Sequence, residues 1–129
     1  MNLESPKVTV PKSAQYIFDQ LTDVRNFEKL MPDNIAKFEV TGDDSFIFGL
    51  KGMPEIKLRL KDKSAPNQVV LGAASDKLPF TLTGNIEDGG DSSQVQLAFQ
   101  GEFNAMMAMM VKGPISKFLE TLAGNMHKL

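Results

Sequence analysis

Few side chains in this 129-residue chain have the type and spacing that chemistry requires. His127 is the single histidine, and a histidine is the commonest proton-transfer group near neutral pH. It falls in the last turn of a carboxy-terminal helical pattern, where its charge would favour the negative end of the helix. That makes it a helix-end residue rather than a catalytic one. Tyr16, the single tyrosine, lies off the apolar stripe of its helix and belongs on the surface. Arg25 stands between Asp23 and Glu28, so it can face a cavity mouth or simply pair with either acid, and we read it as a structural partner. Asp43-Asp44, Asp88 and Asp91 sit beside glycines and read as turn residues, not metal ligands. The chain has no cysteine, which removes thiolate chemistry, disulfides and Cys-based metal sites. No nucleophile–base pair, phosphate loop or metal-ligand spacing appears. The sequence therefore offers no catalytic residue, and neither a metal nor another cofactor is expected.

The remaining unusual signal is apolar. Ala105-Met106-Met107-Ala108-Met109-Met110-Val111 has no polar face at helical spacing. Its methionines either fill an irregular core or form a surface or cavity that adapts to varied apolar shapes. Met53, in the loop Lys51 to Glu55, is either an exposed loop tip or a candidate lid.

These residues need elements to hold them. From Asn104 to Leu129, Met107, Val111, Ile115, Phe118, Leu119, Leu122 and Met126 recur at steps of three and four, on one face of a helix roughly 36 Å long. Lys112, Ser116, Lys117, Glu120, Thr121, Asn125 and Lys128 fill the other face. Gly113-Pro114 should kink this helix, or end a short first segment so that Pro114 opens the main helix. Before it, Lys7 to Val10 reads as a strand ended by Pro11. Ser13 can cap a helix carrying Ala14, Ile17, Phe18 and Leu21. Asp23 or Asn26 can cap a second short helix with Phe27, Leu30 and Met31, ended by Pro32-Asp33-Asn34.

Six alternating runs follow. Ile35 to Thr41 places Ala36, Phe38 and Val40 on one face, and Phe46, Phe48 and Leu50 share a face in the next. Ile56, Leu58 and Leu60 oppose Lys57, Arg59 and Lys61. In Gln68 to Ser75, Val69, Leu71 and Ala73 oppose Val70, Gly72 and Ala74. Phe80, Leu82, Gly84 and Ile86 share a face, and Asp88-Gly89-Gly90-Asp91 is a hairpin signal. Val95, Leu97, Phe99, Gly101 and Phe103 point inward in the last run. Short turns between these strands imply an antiparallel meander whose apolar face only the terminal helix is long enough to cover.

Composition sets the outer limits. This length predicts one domain, residues 1–129, with a single core. A net charge of −2 without basic runs argues against nucleic acid or an anionic membrane as partner. The amino-terminal residues lack the apolar region of a signal peptide, and no run approaches the ~18 apolar residues of a membrane span, so a soluble cytoplasmic protein is expected. A monomer or weak homodimer is the expected state.

The element order resembles the START-like superfamily, also called the polyketide cyclase/dehydrase and lipid-transport superfamily, with its birch-pollen-allergen and coenzyme Q-binding branches. Val8 to Phe18 is similar to its opening strand and first helix, and Thr22 to Pro32 to its second-helix signature. Lys112-Gly113-Pro114-Ile115 sits where many members place a Gly or Pro in the long helix. The resemblance covers essentially the whole chain, through loose motifs. It implies an α+β helix-grip fold: a bent seven-stranded antiparallel sheet wraps the terminal helix, two short helices close one end, and an apolar cavity lies between. Members bind lipids, sterols, polyketides or quinones there, and a minority catalyse cyclisation or dehydration with polar groups inside the cavity. The inward faces of this chain lack such groups. The expected function is accordingly binding, with transport or sequestration, of a small hydrophobic ligand. Its site would be lined by Phe46, Phe48, Leu58, Leu60, Leu71, Leu82, Phe99, Met107 and Met110. The alternatives are a cyclase or dehydratase, or a ligand-free interaction module using Ile47, Val70 and Ala74 on the outer strand face.

Overall fold

Local capping chemistry sets the first elements. The computed structural model describes residues 2–51, 55–73 and 80–129. Ser13 is extended, and its hydroxyl accepts the Tyr16 N–H at 3.2 Å, opening helix α1 (Ala14–Leu21). Ala14, Ile17, Phe18 and Leu21 form its buried stripe. Of the two caps considered for the next helix, Asp23 serves: its carboxylate accepts the Arg25 N–H at 3.2 Å. The segment it opens, Val24–Leu30, is a 3₁₀ helix that buries Val24, Phe27 and Leu30. Asn26 instead ties this helix to α1, donating from its side-chain amide to the Gln20 carbonyl at 3.0 Å.

Among the described residues the sheet contains eight strands: β1 (Asn2–Glu4), β2 (Val8–Val10), β3 (Ile35–Val40), β4 (Ser45–Leu50), β5 (Ile56–Ser64), β6 (Gln68–Ala73), β7 (Phe80–Asp88) and β8 (Ser93–Gly101). The spatial order is β1-β8-β7-β6-β5-β4-β3, with β2 also on β8, and every pairing is antiparallel. This is the expected meander, with one correction. The opening strand has two parts. Leu3 stands opposite Phe99 and Val8 opposite Val95, so β1 and β2 both lie along β8. Pro6 divides them because it has no N–H to give the ladder. Ser5 repairs the gap: its N–H donates to the Leu97 carbonyl at 2.8 Å, and its hydroxyl accepts the Leu97 N–H at 2.9 Å. Irregular register between Ile35 and Lys37 and between Leu60 and Asp62 marks bulges, which bend strands and increase their twist. The β7–β8 hairpin closes through Gly90 at φ 85°, with the Asp88 carboxylate accepting the Gly90 N–H at 2.9 Å.

Helix α2 (Ala105–Gly124) begins at Asn104, whose side-chain oxygen accepts the Met107 N–H at 2.9 Å. Its 20 residues span about 30 Å. Pro114 lies inside this continuous helix, so no separate helix begins there. Phe118, Leu119, Leu122 and Ala123 are buried, and a 3₁₀ turn (Met126–Lys128) then buries Met126. The first half differs from the stripe expected: Met107, Val111 and Ile115 are only half-buried. The carboxy-terminal half is pinned at its end. The Asn125 amide donates to the Leu30 carbonyl at 3.0 Å, and the Lys12 ammonium donates to the Leu129 carbonyl. Among the described residues no helix is long and apolar enough to cross a membrane.

Candidate ligand cavity

The inward alternation of β4, β5, β7 and β8 and the apolar stripe of α2 leave a cavity between them. Phe48 and Leu50 from β4, Ile56 and Leu58 from β5, Phe80 and Leu82 from β7, and Phe99 from β8 form the sheet side. Phe103 follows β8, and Met107, Val111, Pro114, Ile115, Phe118 and Leu119 come from α2. The free space is about 80 Å³, against the roughly 10–15 Å³ that one water needs. Every described lining side chain is apolar, so water placed inside would find no partner among them.

Aromatic packing shapes the walls. Phe48 stacks on Phe118 with ring centres 5.0 Å apart and planes within 3°, joining sheet to helix. Phe80 lies 5.0 Å from Phe99, and Phe99 lies 6.0 Å from Phe103. Gly101 makes this convergence fit. A Cβ there would come within 2.8 Å of the Phe103 ring and 3.0 Å of the Phe80 Cβ. A side chain at this position would drive those walls apart.

The structure brings together Phe48, Leu58, Leu82, Phe99 and Met107 of the residues predicted to line the site. Phe46 is fully buried instead, stacked between Phe27 and Phe38 at 5.2 and 5.3 Å. Leu60 packs against the edge of the core beside the bulge. Leu71 faces a separate void of about 10 Å³, shared with Leu82, Leu21, Phe27, Val69, Gly84 and Leu97. Met110 corrects the expectation most clearly, since it is 70% exposed. At 3.6 residues per turn it sits roughly 60° around the helix from Met107, on the side away from Val111. Met106 and Met109 are likewise 74% and 83% exposed, so most of the methionine segment faces outward. Met53 and Ala74 lie outside the described residues. Ile47 and Val70, the other outer-face positions considered for a partner surface, are half-buried.

Several lining residues were passed over although their inward direction was readable. Leu50 ends β4, Ile56 opens β5, Phe80 opens β7 and Phe103 follows β8. In an antiparallel meander these termini all fall at one end of the sheet. That shared end, rather than mid-strand position, was the available signal.

The polar candidates stand elsewhere. The His127 ring nitrogen Nδ1 is 2.9 Å from the Gly124 carbonyl, on the exposed side of the terminal turn. Tyr16 is 39% exposed, with the Lys12 ammonium 4.8 Å above its ring. Arg25 pairs with Asp23, not Glu28, through Nε at 3.0 Å and Nη2 at 2.8 Å. Those side-chain hydrogen bonds hold the Asp23 carboxyl below its ordinary range and raise the guanidinium. The pair is exposed and adds little to stability. His127→Ala and Tyr16→Phe are expected to leave ligand affinity within about threefold, or roughly 0.65 kcal/mol. Titration calorimetry of each variant checks this, and a hundredfold loss would place the ring in contact with ligand.

No family model and no curated protein sequence matches the chain. Solved structures do match its fold. A START superfamily protein from Mycobacterium smegmatis superposes with a TM-score of 0.71 at 15% identity, covering 98% of this chain and 97% of its own. Norcoclaurine synthase from Thalictrum flavum gives 0.76 at 15% identity, covering 99% and 84%. A conserved protein from Geobacillus kaustophilus gives 0.70 at 14% identity, covering 99% and 93%. At such identities the likeness speaks for architecture alone. The chain has a START-like α+β helix-grip fold, an antiparallel sheet closed over a long carboxy-terminal helix.

Proposed function

We propose that this chain binds a small hydrophobic ligand between its sheet and α2, for transport or sequestration. The observation carrying this reading is the apolar lining of the cavity on every described side. A void without polar partners repels water and gains from an apolar guest. Folds of this type commonly enclose such guests, which agrees with the reading. One structural neighbour is an enzyme, norcoclaurine synthase, but acid–base chemistry needs an ionisable group within reach of the reacting atoms. Every described lining residue is apolar, so binding is the better-supported function.

Native mass spectrometry of freshly purified protein, combined with methyl NMR of [¹³C-methyl]methionine-labelled protein, tests it. We expect an added mass that organic extraction removes. Titrating 1-octanol into extracted protein should then shift the Met107 methyl while leaving the buried Met126 methyl in place. The absence of both an added mass and a Met107 response would overturn the ligand-cavity reading.

A further inference from the structure

Beside the apolar cavity runs an open groove of about 710 Å³, formed by the turn after the 3₁₀ helix, the end of β4 and the middle of α2. Among the described residues, Leu50, Pro114 and Phe118 line both spaces and form the wall they share. The polarity changes across that wall. On the groove side the charged groups among the described residues are Lys51, Lys117 and Asp33. Among the described residues neither lysine makes an ion pair. The Lys51 backbone is fixed by its N–H, which donates to the Asn34 carbonyl at 3.1 Å. Lys117 projects from α2 one turn beyond Gly113, where an added Cβ would meet nothing within 4 Å. Two ammonium groups and one carboxylate leave a net charge of +1 beside the wall (+2 − 1).

We propose that the guest is a short-chain carboxylate amphiphile: its tail passes between Leu50, Pro114 and Phe118 into the cavity, and its head stays in the groove between Lys51 and Lys117. This rests on the binding function proposed above and adds the ligand class. The arrangement separates the two needs of such a molecule, an unpartnered apolar space for the chain and a hydrated, positively charged rim for the head. Charge selects a carboxylate over a phosphate monoester. One negative charge matches the net +1, whereas a phosphate carries about −1.5 to −2 at neutral pH. The cavity limits the chain, since about 80 Å³ holds only several water-sized groups.

Titration calorimetry with octanoate, 1-octanol and octylammonium against extracted protein tests the assignment, with the Met107 methyl resonance reporting that each ligand occupies the cavity. Octanoate should bind roughly three- to tenfold more tightly than 1-octanol, as expected for exposed charges worth up to about 1 kcal/mol each. The preference should shrink as salt rises. Lys51→Gln combined with Lys117→Gln should erase it while leaving 1-octanol affinity and melting temperature at the parent's values. Equal affinity for octanoate and 1-octanol, both shifting Met107, would overturn the headgroup assignment and leave the apolar cavity standing. Tightest binding by octylammonium would overturn it too, by giving Asp33 control of the rim. No binding by any of the three would remove the cavity function itself, and this proposal with it.

Discussion

A chain ending before Ala105 should not fold into an open, soluble sheet; it should lose cooperative structure altogether. Helix α1 and the 3₁₀ helix cover one end of the inward sheet face, where Phe27 stacks on Phe46 and Leu21 faces Leu71; α2 and the turn after it cover much of the rest. Phe118, Leu119, Leu122, Met126 and Leu129 are all buried. At about 1.5–3 kcal/mol for each large apolar side chain, their burial amounts to roughly 8–15 kcal/mol. That is comparable with the entire net stability of a domain, about 5–15 kcal/mol. The truncation would also expose Phe48, which lies flat against Phe118, and leave the Leu30 carbonyl without the Asn125 amide. Circular dichroism during heating is the direct measurement. A sigmoidal melt from the truncated chain would show that the sheet and the two short helices sustain a core by themselves.

The same helix shows how far the sequence could be read. Its carboxy-terminal half follows the predicted stripe, because Phe118, Leu119, Leu122 and Met126 meet the sheet and the short helices where apolar faces converge from several sides. Periodicity finds that kind of burial well. The segment from Ala105 to Val111 is also apolar throughout, yet Met106, Met109 and Met110 are exposed. A segment without a polar face gives periodicity nothing to orient, so the facing side had to come from the neighbours. Strand directions were legible for the opposite reason: strict alternation at Ile56–Lys61 and Val95–Phe103 leaves one choice of face. What alternation cannot give is position along the cavity. Phe46 and Leu71 point inward as expected but are enclosed by Phe27, Phe38 and the first helices, whereas Phe80 and Phe103, near the open end, meet the void. The split of the opening strand was hidden because its repair uses the Ser5 side chain, a contact with Leu97 across more than ninety residues.

Leu82→Trp should abolish most ligand binding while leaving the fold almost untouched. Leu82 is buried mid-strand, opposite Leu71 on β6 and Phe99 on β8, and it lines both the main cavity and the smaller void beyond it. An indole at this position has free space to grow into, unlike one placed at Phe46, which is enclosed by rings on two sides. Occupying the cavity should weaken an apolar probe such as 1-octanol by tenfold or more, equivalent to about 1.4 kcal/mol. The stability cost should stay below the 1–3 kcal/mol typical of overpacking a solid core, because the added atoms fill a void. Calorimetric affinity and melting temperature, measured together, separate the alternatives. Lost affinity at near-constant melting temperature is the result expected for a ligand cavity. A large drop in melting temperature, in a protein whose parent binds no probe, would instead mean that the rings around Leu82 already close the interior.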